Sequence, residues 1–301
     1  MTSLIKREYL FIGSAFISGA VVLYYATKSI RKLIKNHYYP YIKVGTVAEL
    51  YIYPVESARG RQVKFMECDE IGGISGELKD RRFFVLNKIN KTFVTAEIFS
   101  RMVLIDSDIR NGVLTLSTPE TEPVTLDLAK VLEYNKTVTG RCMKDEKIQQ
   151  EGLECGYEIG RWLSKVLRTE EPLSLLYCKD GFPSSNCQCF IKNLFTSNYP
   201  LISEQTYIPL EPYMILSSET INKLNDRFDL VVDQQITSRH FRPNIVVDNC
   251  SAFDEDNWLE IKIGQAEFQC KAPCKRTYIM MIDPSTGEQE LGEEYIDILR
   301  E

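Results

Sequence analysis

Short runs of apolar residues alternate with polar and turn residues along most of the chain. A period-2 pattern that starts at Val44 and stops at Pro54 is typical of a half-buried β-strand. Turn residues such as Asn111-Gly112 separate further β-type runs, at 83–86, 92–95, 102–105, 113–116, 124–126 and 173–177. Four more strands are predicted at 245–247, 259–263, 266–269 and 278–282. Short strands with frequent turns indicate a β-barrel or a β-sandwich.

Helical periodicity marks two stretches of the same body. Apolar residues recur at helical spacing over 149–167, and a second helix is predicted over 218–228. Between them, residues 179–209 are irregular and polar, and a segment of that length indicates a loop that shapes a site or an insertion. The pattern therefore predicts an α+β, mostly β fold with two consecutive lobes joined near residues 170–190.

The first 39 residues have a different character. No charged residue occurs from Tyr9 to Thr27, and about 19 residues come close to the ~20 that a helix needs to cross the hydrocarbon core. More basic residues follow this stretch than precede it, so the positive-inside rule places the body on the cytosolic side. We expect residues 1–39 to be a single-pass membrane anchor with a basic flank. The alternative is a cleaved signal peptide, but Ala26-Thr27-Lys28-Ser29 is not a small-x-small cleavage site.

Charge and cysteine content narrow the class of function. The formal net charge is −6 although the first 39 residues are basic, so the body is strongly acidic. Such a body is a poor partner for nucleic acid, whose nonspecific binding depends on neutralising phosphates. Nine cysteines without regular spacing favour a reducing compartment over a disulfide scaffold. With only two histidines, a structural zinc site is not expected.

Two segments near the C-terminus contain the groups that an anionic cofactor requires. They read Phe241-Arg242-Pro243-Asn244 and Cys274-Lys275-Arg276-Thr277. Planar guanidinium groups at 242 and 276 suit phosphate, and a cysteine suits a soft metal. Each segment alone also fits a plainer interpretation: a strand entry with an ion-paired arginine, or a cysteine buried as a small apolar residue.

Together these segments resemble the MOSC-domain family of molybdenum-cofactor proteins, and within it the amidoxime-reducing components. Matches in the first half of the chain are Tyr53-Pro54-Val55 before Ser57, Asp80-Arg81 before an aromatic strand, and Thr95-Ala96. The resemblance covers about 44–286. It implies a MOSC N-terminal β-barrel domain over 43–175 and a MOSC domain over 176–301. Because relatives commonly continue with further strands, the second domain is expected to be shortened at its C-terminus.

The resemblance also implies a cofactor site. The molybdenum cofactor would be bound by Ser57, Arg81, Arg242, Asn244 and Arg276. Three positions depart from the family pattern, with Glu56 in place of a lysine, Glu97 in place of an arginine and Thr277 in place of the cysteine that ligates molybdenum. Thr277, or Cys274 after a local shift of the loop, would complete the coordination of the metal and take the catalytic position.

The function implied by the resemblance is reduction of N-hydroxylated compounds such as amidoximes. Electrons would come from cytochrome b5 and its NADH-dependent reductase. The resemblance favours the mitochondrial outer membrane over the endoplasmic reticulum. It implies pyridoxal phosphate binding at the family level only. Two alternatives stay open. One is a non-catalytic relative that binds a pterin or another phosphate-bearing ligand. The other is a sulfur carrier or transferase in which Lys275 and Arg276 activate Cys274.

Overall fold

The computed structural model describes residues 40–143, 149–178, 212–228, 235–271, 273–274 and 278–289. Residues 1–39, expected to be the membrane anchor with its basic flank, and the irregular segment 179–209 lie outside these residues. In the part of the chain that is described, no helix is both long enough and apolar enough to span a membrane. The fold is mostly β with few helices, as predicted.

The described residues contain seventeen strands. In chain order they are β1 Thr46–Ile52, β2 Arg61–Gln62, β3 Glu67–Cys68, β4 Gly73–Ser75, β5 Leu78–Lys79, β6 Phe83–Asn87, β7 Phe93–Val94, β8 Asp106–Arg110, β9 Val113–Thr118, β10 Thr121–Asp127, β11 Thr137–Arg141, β12 Gln149–Glu154, β13 Leu173–Tyr177, β14 Ile215–Ser217, β15 Ile245–Asp248, β16 Glu260–Ile263 and β17 Ala266–Gln269.

Four α-helices and three 3₁₀ segments occur among the same residues. The helices are α1 Leu128–Tyr134, α2 Tyr157–Val166, α3 Ser218–Phe228 and α4 Ser238–Phe241, and the 3₁₀ segments are Ser100–Leu104, Asp254–Asn257 and Tyr278–Met281. Helix α1 begins where the side chain of Asp127 accepts a hydrogen bond from the Ala129 amide. Helix α4 begins with a capping box formed by Thr237 and His240.

The chain divides into two compact units. The smaller one comprises the chain up to Val44 and Ile261–Phe268, and among its described residues the regular structure is most of the hairpin of β16 and β17. The larger one comprises Gly45–Glu260 and the chain from Gln269 onward. The part of it that the structure describes forms four sheets, with the strand orders β14-β15-β1-β2, β10-β9-β8, β11-β12-β13-β6-β7 and β3-β4-β5.

Strand β1 is central to the larger unit because it joins parts of the chain that are far apart in sequence. It pairs antiparallel with β15, with Leu50 opposite Ile245, and on its other edge with β2. Strand β15 in turn pairs in parallel with β14. The end of β1 is deeply buried, so the residues that follow it, beginning with Tyr53, are held in a fixed position.

Three predicted elements were wrong. The apolar runs 102–105 and 278–282 are not strands, since each lies largely in a 3₁₀ segment. Their central residues are buried, and a short run that is apolar throughout has no period by which a strand can be distinguished from a helical turn. Residues 149–154 form β12 and not the start of a helix, because they pair with β11, and Gly156 separates them from α2.

Candidate functional site

Two arginines from distant parts of the sequence meet at the ring of Tyr53. The Cζ atom of Arg242 lies 4.4 Å from the ring centroid, and that of Arg81 lies 5.9 Å from it. Both are within the range of a cation–π contact. The ring is 2% exposed, and its hydroxyl donates to the carbonyl oxygen of Pro243 at 3.0 Å. The ring of Tyr53 is therefore a fixed aromatic surface in contact with two cationic side chains.

The backbone at this site adopts conformations that cost energy. Ser57, Arg81 and Arg242 have φ angles of 62°, 50° and 56°, in the left-handed region that residues with a Cβ rarely occupy. For Arg242 the cause is local, since it is the left-handed cap that ends α4 before Pro243. Such conformations cost roughly 1–3 kcal/mol each and tend to occur at functional sites. Three of the predicted cofactor-binding residues share this property.

Two carboxylates neutralise Arg81. Its Nη1 lies 2.9 Å from Oδ2 of Asp80, and its Nε lies 3.2 Å from Oε2 of Glu56. Asp80 is 4% exposed, and its Oδ1 accepts from the Tyr53 amide at 2.7 Å. Burial raises the pKa of the Asp80 carboxyl, although the Arg81 guanidinium acts in the opposite direction. Glu56, which stands in place of a family lysine, thus turns toward Arg81 rather than away from the site.

The pKa of Arg81 also shows what surrounds it. Burial lowers this pKa, but the carboxylates of Asp80 and Glu56 outweigh burial, with smaller electrostatic contributions from Tyr53 and Cys274, so that the pKa is raised overall. This places Cys274, which is exposed, within electrostatic range of Arg81. The described residues contain no group of three or more His, Cys, Asp or Glu side chains arranged to hold a metal ion.

Arg242 is in a different state from Arg81. Its Nη1 donates to the carbonyl oxygen of Ala58, whereas its Nη2 is buried and has no hydrogen-bond partner among the described residues. Burial lowers the pKa of Arg242, because desolvation disfavours the charged form. A buried cationic nitrogen without an acceptor suits an anionic oxygen supplied by a ligand. In this respect the site fits the phosphate of a pterin cofactor.

Asn244 is fully buried, and its amide is already engaged within the protein. Its Nδ2 donates to the carbonyl oxygen of Tyr51 and to Oδ1 of Asp80, both at 3.3 Å. Its Oδ1 accepts from the Met214 amide at 3.2 Å. The side chain therefore ties together β1, the Asp80 turn and the residue before β14, and it fixes the position of the turn that carries Arg81.

The remaining predicted site residues are placed as follows. Ser57 is 3% exposed and lies in the turn between β1 and β2, next to Ala58. Arg276 and Thr277 lie outside the described residues. Sequence reasoning missed Tyr53 and Asp80 as members of the site. Both are adjacent in sequence to motif residues, in Tyr53-Pro54 and Asp80-Arg81, and that adjacency is the signal that would have identified them.

Comparison with known proteins places these observations in a family. The model of the MOSC N-terminal beta barrel domain matches residues 44–170, and that of the MOSC domain matches residues 204–296. Human mitochondrial amidoxime-reducing component 1 is 32% identical over 246 residues, which is 81% of this chain and 68% of that protein. Rat mitochondrial amidoxime reducing component 2 is 30% identical over 245 residues, 81% of this chain and 69% of that protein.

A third curated relative and one solved structure complete the comparison. Human mitochondrial amidoxime reducing component 2 is 33% identical over 248 residues, 81% of this chain and 69% of that protein. A solution structure of a protein from Bordetella bronchiseptica, 19% identical, covers 38% of this chain and 85% of that chain with a TM-score of 0.30, a likeness too weak to bear on the fold. From the two domain matches and these relatives, the chain belongs to the MOSC-domain family and is similar to the mitochondrial amidoxime-reducing components.

Proposed function

We propose that this protein is an oxidoreductase that binds the molybdenum cofactor and reduces N-hydroxylated compounds such as amidoximes. The single observation that carries the proposal is the meeting of Arg81 and Arg242 at the ring of Tyr53, with a buried nitrogen of Arg242 that lacks an acceptor among the described residues. The names of the relatives, amidoxime-reducing components, supply the reaction class. When bound, the cofactor supplies the redox chemistry.

The residues of the chain act by binding and positioning. Arg242 offers an N–H donor to the phosphate of the cofactor, and the buried ring of Tyr53 keeps its guanidinium in place. Ser57 lies in the adjoining turn, where its hydroxyl adds a further donor. Asn244 holds the Asp80–Arg81 turn against β1. Arg276 is assigned to the same phosphate on the strength of the family motif alone.

The metal ligand is one of the three points at which this chain departs from the family pattern. Thr277 occupies the family's ligand position, and Cys274 is the alternative ligand after a local shift of the loop. A thiol, with an ordinary pKa of about 8.5, loses its proton near neutral pH more readily than a hydroxyl does.

We further propose that residues 1–39 anchor the protein in the mitochondrial outer membrane with the body facing the cytosol. The uncharged stretch from Tyr9 to Thr27 and the basic residues that follow it support this orientation. A cytosolic body is accessible to cytochrome b5 and its NADH-dependent reductase, which are the proposed electron donors.

The proposal is tested with the full chain, expressed in a host that makes the cofactor. Membranes are washed with alkaline carbonate, and the retained protein is assayed for molybdenum and for NADH-dependent reduction of benzamidoxime in the presence of cytochrome b5 and its reductase. We expect membrane retention, near-stoichiometric molybdenum and turnover. A Thr277→Cys variant is expected to retain at least as much molybdenum, since it restores the family ligand.

The same preparation distinguishes the alternatives. Pterin without turnover would contradict the catalytic proposal and favour a non-catalytic ligand-binding relative. Absence of pterin, together with rapid alkylation of Cys274 by iodoacetamide at neutral pH, would favour a sulfur-transfer role. Release of the chain by carbonate would contradict the anchor without affecting the assignment of the site.

A further inference from the structure

A second arginine, Arg59, has the same unusual property as Arg242. Its Nε is buried and has no hydrogen-bond partner among the described residues, as is true of Nη2 of Arg242. One neutral carbonyl group fixes each guanidinium: Nη2 of Arg59 donates to the oxygen of Pro284 at 2.9 Å, and Nη1 of Arg242 donates to that of Ala58. Both guanidinium groups are therefore held in place, and each has one buried N–H donor without an acceptor among the described residues.

Arg59 and Arg242 line the same small cavity. Its volume is about 20 Å³, room for one water-sized group, and Tyr51, Tyr53 and His240 form part of the wall. No aspartate or glutamate is among the described residues that line it. Two arginines that each have a buried N–H without an acceptor among the described residues thus line a cavity that has no carboxylate in its wall, and such a wall suits a single anionic oxygen.

Arg81 lies outside this arrangement. It does not line the cavity, and its guanidinium is paired with Asp80 and Glu56. An anion that approached Arg81 would meet the repulsion of two carboxylates. The charge balance therefore favours binding at Arg59 and Arg242 over binding at Arg81.

We propose that Arg59 and Arg242 together bind a phosphate monoester, with one of its oxygens in the cavity between them, and that Arg81 positions the Asp80 turn without holding the ligand. The assignment deepens the proposed function, on which it rests for the source of the phosphate. Arg59 becomes a binding residue of the site, and the carboxylate of Glu56 neutralises Arg81 instead of opposing the ligand directly.

Isothermal titration calorimetry with inorganic phosphate tests this assignment on the full chain, purified in detergent from a host that cannot make the cofactor. Arg59→Gln and Arg242→Gln are each expected to weaken phosphate binding about tenfold or more, that is by about 1.4 kcal/mol. Glu56→Gln is expected to change it by less than about threefold. The matched control is Arg110→Gln, since Arg110 is 78% exposed and pairs only with Asp108 among the described residues.

Several outcomes would overturn the assignment. If Arg59→Gln binds phosphate as the wild type does while Arg242→Gln binds weakly, Arg59 is not part of the site, but the proposed function stands. If Glu56→Gln strengthens binding tenfold, Arg81 is the binding group. If the wild type binds no phosphate, the assignment fails, and the molybdenum content of the cofactor-loaded chain decides the proposed function separately.

A second substitution at the same position distinguishes a loss of phosphate binding from a loss of folding. Arg59→Lys keeps the positive charge and a donor for Pro284 but removes the orphaned Nε. It is expected to weaken phosphate binding severalfold while the circular dichroism spectrum stays that of the wild type. Unchanged affinity in this folded variant would contradict the role given to Nε of Arg59.

Discussion

At the scale of single residues, the motifs identified the candidate side chains but not the ion pairs and hydrogen bonds that each one makes. Arg81 and Arg242 are similar in sequence terms, since each lies within two residues of a phenylalanine. Two carboxylates neutralise Arg81, whereas none lies at ion-pair distance from Arg242 among the described residues. Asn244 was predicted to bind the cofactor, and its hydrogen bonds are made within the protein. Such states depend on neighbours that are distant in sequence.

His240, in the wall of the cavity beside Arg242, makes the stability of the fold depend on pH. Burial lowers its pKa from the ordinary 6.5, although Asp283 acts in the opposite direction, and its Nδ1 accepts from the Thr237 amide at 3.0 Å. Since the folded pKa is below the unfolded one, the unfolded chain takes up the proton first as pH falls. The contribution of His240 is thus fully present above about pH 6.5 and is lost as pH falls below that value.

Urea unfolding of the wild type and of His240→Gln between pH 5 and 8 measures this effect. The free energy of unfolding is expected to fall more steeply with decreasing pH in the wild type than in the variant. The chain has one other histidine, His37, which supplies the matched control. If His37→Gln rather than His240→Gln reduced the slope, the assignment to His240 would be contradicted.

At the scale of elements, strands with alternating or β-branched residues were predictable, and so was α3, whose bounds agree with the predicted 218–228. The strand β11 was missed because Thr137–Arg141 is polar except at Val138, and its identity depends on pairing with β12. For the same reason β12 was taken for the start of a helix. Where the partner strand decides the conformation, local periodicity does not predict it.

Helix α2 packs against β13 at a distance that only glycine permits. A Cβ added at Gly160 would lie 2.3 Å from the carbonyl oxygen of Leu173. Gly160→Ala is therefore expected to destabilise the fold by about 1–3 kcal/mol, as overpacking does, although alanine has the higher helix propensity. Chemical denaturation measures the change.

The control for Gly160→Ala is the neighbouring Arg161→Ala. Arg161 is exposed on the same helix, and its replacement is expected to change the free energy of unfolding by less than about 0.5 kcal/mol. A Gly160→Ala variant as stable as the wild type would show that α2 moves away from β13 at little cost.

At the scale of the whole molecule, the family and the mostly β fold could be predicted from the sequence, because the motif residues occur at the spacing typical of the family. Which strands pair across long distances in the sequence could not be predicted from the sequence. The sheet β14-β15-β1-β2 combines strands from both matched domains, since β1 and β2 lie within 44–170 and β14 and β15 within 204–296. This pairing brings Tyr53, at the end of β1, to Arg242 and Pro243 just before β15.

The central claim is that the Arg242 guanidinium, held at the ring of Tyr53, binds the phosphate of a pterin. Its most direct test is the pterin content per chain of the full-length wild type and of Arg242→Gln, both purified from the same cofactor-producing host, with Arg110→Gln as the control. We predict near-stoichiometric pterin in the wild type and the control, and about tenfold less or lower in Arg242→Gln. Equal pterin in all three folded proteins, or none in the wild type, would contradict the claim.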